Sequence, residues 1–204
     1  MRTARTLSLL VTTLTPWLAV SSCSTGESTP PPRVAQYVDS AIGRDESLRR
    51  FRADLADRPT VLEGGETSRD ALVHRFVAAL ATSDTPSLAR MALTRAEFAY
   101  LFYETSPQSL PPYDLGAGLL WFQMQERNRA GIGRALKVLG GRRVTVSRYR
   151  CRPEPERQGD NLVWIGCTMR LGGAVPDGIT ELPLFGAVIE RAGRFKFLSY
   201  SNKL

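Results

Sequence analysis

The chain has 204 residues, 43% hydrophobic and 23% charged. These are values of a globular protein, and they exclude a disordered or fibrous one. Its formal charge is +7, yet among 27 basic residues only Lys137, Lys196 and Lys203 are lysine. No basic, aromatic-interleaved motif accompanies that charge, which argues against nucleic acid as a partner. A mild attraction to anionic lipid or cell-wall polymer stays open.

The first residues, Met-Arg-Thr-Ala-Arg, carry two positive charges and no acid. A charge-free run from Leu7 to Val20 follows, and Pro16 interrupts it. At about 14 residues it is shorter than the roughly 20 that a spanning helix needs, so it reads as an export signal over residues 1–22. Val20-Ser21-Ser22-Cys23 then resembles the lipobox of bacterial lipoproteins: an aliphatic residue, two small residues and a cysteine. The resemblance implies cleavage before Cys23 and a diacylglyceryl thioether on it, so that a lipid anchor makes the membrane a partner. An ordinary signal with an incidental cysteine is the plainer alternative. Ser24 in place of Asp implies the periplasmic face of the outer membrane where the organism has one, and otherwise the outer face of the plasma membrane.

Removal of the signal leaves about 180 residues, enough for one domain with a sizeable core. Losing Arg2 and Arg5 lowers the formal charge from +7 to +5. Residues 23–33 are Pro- and Ser-rich and read as a tether. Residues 34–66 read as an N-terminal helical segment, with helices at Val34–Ile42 and Glu46–Leu55. A loop containing Pro59 and Gly64-Gly65 closes it. The main domain is placed at 67–204.

Thr67-Ser-Arg-Asp70 has the form of a capping box and opens a helix to about Ser83, with Leu72, Val73, Phe76, Val77 and Leu80 on one face. A short helix after Pro86 reaches Met91. Thr94-Arg-Ala-Glu97 is a second capping box and opens Arg95–Glu104. A longer helix spans about Leu115–Leu139, with a bend expected at Gly131 and Gly133.

From Arg142 the hydrophobic period changes to two, giving strands at Arg142–Arg152, Leu162–Leu171, Ile179–Glu190 and Arg194–Ser201. A hairpin centred near Gly159 sets Cys151 opposite Cys167 and Tyr149 opposite Met169. Opposed residues stand about 4.5–5.5 Å apart, within reach of a disulfide. An exported chain favours that bond; two buried free thiols are the alternative. Two cysteines and the distant His74 make no zinc set, so no metal and no cofactor is expected.

Helices followed by antiparallel strands predict an α+β fold, with the helices packed on a curved sheet of about four strands. The helix from Asp70, the short helix after Pro86 and the hairpin-rich end closing on Phe195-Lys-Phe197 resemble the nuclear transport factor two-like, or SnoaL-like, cone-fold superfamily over residues 68–204. The resemblance implies a cone-like domain with a pocket between sheet and helices. Its members include isomerases, dehydratases and non-catalytic binding or accessory domains, so fold alone leaves function open.

His74 lies about 130° from the centre of its helix's apolar face at 100° per residue, a surface or boundary position. No Gly-x-Ser-x-Gly motif supports a serine hydrolase. Six residues are candidates to line a pocket: Tyr100, Tyr103 and Glu104 on one helix face, and Trp121, Gln125 and Asn128 on a stripe of the long helix. Core packing of the tyrosines, and Asn128 capping a bend, are the plainer alternatives. Arg148, Tyr149, Trp164 and Tyr200 are further candidates whose face the pattern does not fix. The leading expectation is a membrane-anchored envelope lipoprotein whose domain binds a small apolar ligand or an envelope protein without catalysis. The alternative is a small isomerase or hydro-lyase using a buried Glu104 and a tyrosine; no catalytic residue is forced by spacing.

Overall fold

In the computed structural model, residues 42–175 and 181–204 are described. The export signal, Cys23, the tether and residues 34–41 of the first expected helix lie outside the described residues, and its last residue, Ile42, is not helical.

Five α-helices precede seven strands among the described residues. Helix α1 (Arg44–Arg52) buries Leu48 and Phe51. Helix α2 (Arg69–Ala81) is capped one residue later than the pattern suggests. Ser68 takes an extended backbone and its hydroxyl accepts from the Ala71 N–H at 3.0 Å. Helix α3 (Thr85–Arg90) is capped by Asp84, which accepts from Ser87 N. Helix α4 (Arg95–Glu97) starts on the expected Thr94–Glu97 capping box.

Beyond Glu97 the expected regular helix changes pitch. A π-helical turn covers Phe98–Phe102 and a 3-10 turn covers Tyr103–Thr105. An α-helix would present one apolar stripe, whereas Phe98, Ala99, Leu101 and Phe102 are all buried in the wider turn. Helix α5 (Ala117–Leu139) runs unbroken through Gly131 and Gly133. Gly131 serves close approach instead of a bend: a Cβ there would collide with the carbonyl of Tyr200.

The strands form two antiparallel sheets where a single sheet of about four strands was expected. One has the order β1 (Val144–Arg150), β4 (Thr168–Gly173), β5 (Glu181–Leu182). The other has the order β2 (Glu156–Gln158), β3 (Asn161–Ile165), β6 (Ala187–Arg191), β7 (Arg194–Ser199). The expected strand Leu162–Leu171 is therefore two strands. Gly166 divides them with φ +64, a left-handed conformation that carries the chain from one sheet to the other. The fold is α+β, with helices ahead of antiparallel strands.

The four-stranded sheet has apolar packing on both faces. Val188 and Phe197 enter a cluster with Phe76 of α2, Phe185 of the β5–β6 connection and Tyr200 of the C-terminal segment. Their neighbours Ile189 and Leu198 enter a second cluster with Phe51, Phe98 and Leu120. Double-sided burial explains the continuous apolar run of β6, which has no polar alternate residue before Glu190. Helix α1 supplies Leu48 and Phe51 to the second cluster, so it belongs to the same compact unit as the remainder of the described chain.

Candidate functional site

The space around Trp121 decides whether an interior pocket exists there. Its ring stands 5.2 Å from Phe98 and 6.4 Å from Phe51, centroid to centroid. Tyr103 packs 5.8 Å from Phe98, is fully buried, and donates its hydroxyl to the Leu115 carbonyl at 2.9 Å. Burial pushes its phenol above the ordinary range. Tyr103 is therefore a core residue, and Trp121 is half-buried against the same aromatic cluster.

The other four candidates fall on two separate surfaces. Tyr100 and Glu104 line an open groove of about 570 Å³ with Arg52 and Arg58. Glu104 is exposed there, and Arg52 donates to its Oε1 at 2.9 Å while lying 4.4 Å over the Tyr100 ring. The expected buried carboxylate is thus a solvated one held by an arginine. The cause is α1, whose Arg52 reaches across to this turn.

Gln125 and Asn128 border a different hollow, of about 410 Å³, with Ala89, Ile132 and Tyr200. Asn128 is spent structurally: its Oδ1 accepts from the Tyr200 N–H at 2.8 Å. One turn on, the Gly131 carbonyl accepts from Asn202 Nδ2, and Arg134 donates to Asn202 Oδ1 and O. This polar seam binds the C-terminal segment to α5. It accounts for an amide on an apolar stripe without any ligand.

A third hollow lies beside the cysteine pair. The Cys151 and Cys167 Sγ atoms are at disulfide distance, 2.04 Å. Tyr149 faces Met169 and Arg150 faces Thr168 as expected. The two strands are however not joined directly, because β2 and β3 form a hairpin between them. Next to the pair, Arg69, Asp70, Tyr149, Arg150, Arg152 and Trp164 line an open cleft of about 540 Å³. The Arg69 guanidinium lies 3.6 Å from the Trp164 ring centroid, and Trp164 donates its indole N–H to Glu190. Burial and the Asp70 carboxylate beside it push the Tyr149 phenol up to about 12.

A buried ion pair was missed by sequence reasoning. Lys196 Nζ lies 2.8 and 2.9 Å from the two Glu97 oxygens, and the side chains are 2% and 1% exposed. Glu97 also accepts from the Thr94 and Glu63 N–H groups. Every acceptor position of this carboxylate is engaged within the protein, which fits a structural lock between α4 and β7. Its capping box was a sequence signal; its lysine, 99 residues away, was not. His74 is exposed on α2. Among the described residues no cluster of His, Cys, Asp and Glu could hold a metal, and no helix is long and apolar enough to cross a membrane.

No family model, curated protein or solved structure matches the chain.

Proposed function

We propose that the chain is a bacterial envelope lipoprotein, anchored by lipid on Cys23, whose α+β domain binds an envelope partner through its outer surface without catalysis. The observation that supports the second half is the aromatic packing around Trp121, where Phe51, Phe98 and the internally bonded Tyr103 occupy the side of the long helix on which a pocket was expected. The isomerase or hydro-lyase alternative needs a carboxylate whose acidity is shifted by burial, and Glu104 stands in solvent on Arg52. Exposed apolar side chains support a surface role. Leu119 and Phe122 are 50% and 61% exposed at helical spacing on α5, and Tyr113 is exposed in the loop leading into that helix.

The anchor rests on the basic start, the short apolar run and Val20-Ser21-Ser22-Cys23. A cysteine pair at disulfide distance suits an oxidising compartment. Helices ahead of antiparallel strands are in keeping with the cone-fold resemblance, which stays part of this proposal.

A photo-crosslinking residue at Phe122 in cells tests the surface reading, with the exposed His74 as control position. The expected result is a discrete adduct at Phe122 that is lost with Leu119→Ser. Equal, diffuse adducts at both positions would overturn it.

A further inference from the structure

The β1–β4 register has a consequence for charge. A bulge between Val146 and Arg148 turns Tyr149 and Met169 toward the core and leaves Arg148, Arg150 and Arg170 on the exposed face. Arg148 and Arg170 are directly opposed across the strands. Like charges in that position destabilise a sheet. Glu181, opposite Arg170 on β5, is the one carboxylate in this hollow among the described residues. It lies 3.1 Å from Arg150 and accepts from the Thr168 hydroxyl, so a single acid serves three arginines.

At Tyr149 and Arg150 this face continues into the cleft beside the cysteine pair. The cleft adds Arg69 and Arg152, against Asp70 alone. Stacking on Trp164, itself tied to Glu190, holds the Arg69 guanidinium in a fixed place. Among the described residues the combined surface therefore carries five arginines and two carboxylates. A helix start alone would mean little here. The opposed Arg148 and Arg170 repel across the strands, and among the described residues Glu181 alone offsets their charge in this hollow.

We propose that this surface binds an extended polymer bearing phosphate groups. Guanidinium forks match phosphate oxygens in pairs, where an ammonium offers only a point charge. The surface is two joined hollows and not a plane, so an extended chain can follow it while a flat bilayer cannot enter it. It is distinct from Leu119 and Phe122, and it functions with or without the lipid on Cys23.

The test uses the exported chain carrying Cys23→Ser, which removes the lipid, and labelled inorganic polyphosphate followed by fluorescence anisotropy at physiological salt. Binding is expected, with affinity falling linearly in a log–log plot against salt concentration. Arg148→Gln/Arg170→Gln should weaken it at least about tenfold, because two phosphate contacts are lost. The melting temperature of that variant should stay level or rise, since the repulsion between opposed arginines is gone. Arg127→Gln/Arg129→Gln on α5 should bind as the parent does. Absence of polyphosphate binding, or an equal loss in both double variants, would overturn the proposal. So would binding to phosphatidylglycerol vesicles through Arg148 and Arg170 in place of the polymer. A lipid found or missing at Cys23 has no bearing on these outcomes, so the two readings fail separately.

Discussion

Lys196→Met isolates the buried ion pair. Methionine keeps an unbranched stem, one atom shorter than that of lysine, and removes the charge. Glu97, 1% exposed, would then keep only the Thr94 and Glu63 N–H donors, at 2.8 and 2.7 Å. Removing one partner of a buried pair costs about 3–5 kcal/mol, because the remaining charge is left uncompensated. Two surviving donors place the expectation near the lower bound, about 3 kcal/mol. For a domain of this size that is a fall of about 6–12 °C in melting temperature. Adding Glu97→Gln to Lys196→Met should recover part of the loss: one backbone N–H then meets the amide nitrogen in place of an oxygen, but no charge is left buried without a partner. Urea denaturation followed by circular dichroism reads both variants. A loss below about 1 kcal/mol in Lys196→Met would refute the reasoning. A double variant no more stable than the single one would refute it equally.

Four further outcomes follow from the same contacts. Gly131→Ala forces a methyl group into the Tyr200 carbonyl and disturbs the Asn128–Tyr200 bond; a loss of about 2 kcal/mol is expected in thermal unfolding, and a change within about 0.5 would refute the close approach. Replacing Cys151 and Cys167 by serine opens a loop of sequence separation 16 and should cost about 3 kcal/mol in thermal unfolding; unchanged stability would refute the bond. The Tyr149 phenol, raised to about 12, should appear in a difference titration of the parent against Tyr149→Phe, and Asp70→Asn should lower its midpoint. The raised value favours the folded state fully below the ordinary phenol range near 10, and this contribution is lost as pH climbs from about 10 to about 12. A Tyr149 midpoint near 10 would contradict its burial against Asp70. Glu104→Gln removes an exposed ion pair and should change stability by less than about 1 kcal/mol; a larger loss would show that the surface assignment is wrong.

Local signals in the sequence translated well into structure. Thr94 and Glu97 form their capping box, and alternation placed Tyr149 against Met169. The capping of α2 was legible within one residue, because Thr67 and Ser68 are chemically equivalent caps and only backbone geometry chooses between them. What failed were conclusions about what covers a face. The change of pitch after Glu97 separates buried Tyr103 from Tyr100 and Glu104, and α1, from a segment assigned to a separate region, brings Phe51 to Trp121. Asn128 was recognised as anomalous on its stripe, while its partner Tyr200 is 72 residues distant. The run Leu162–Leu171 reads as one strand, and a single Gly166 in the left-handed region turns it into two strands of two sheets. Glycine permits that conformation without demanding it, so composition alone does not mark the switch.

The proposed anchoring at Cys23 would place the domain in the envelope and give its cysteine pair an oxidising setting. Intact-mass and N-terminal peptide spectrometry of the chain recovered from cell membranes tests it most directly. The account predicts a mature chain that begins at Cys23 and carries a diacylglyceryl group on its sulfur. An exported chain with an unmodified Cys23, or one that retains residues 1–22, would contradict it.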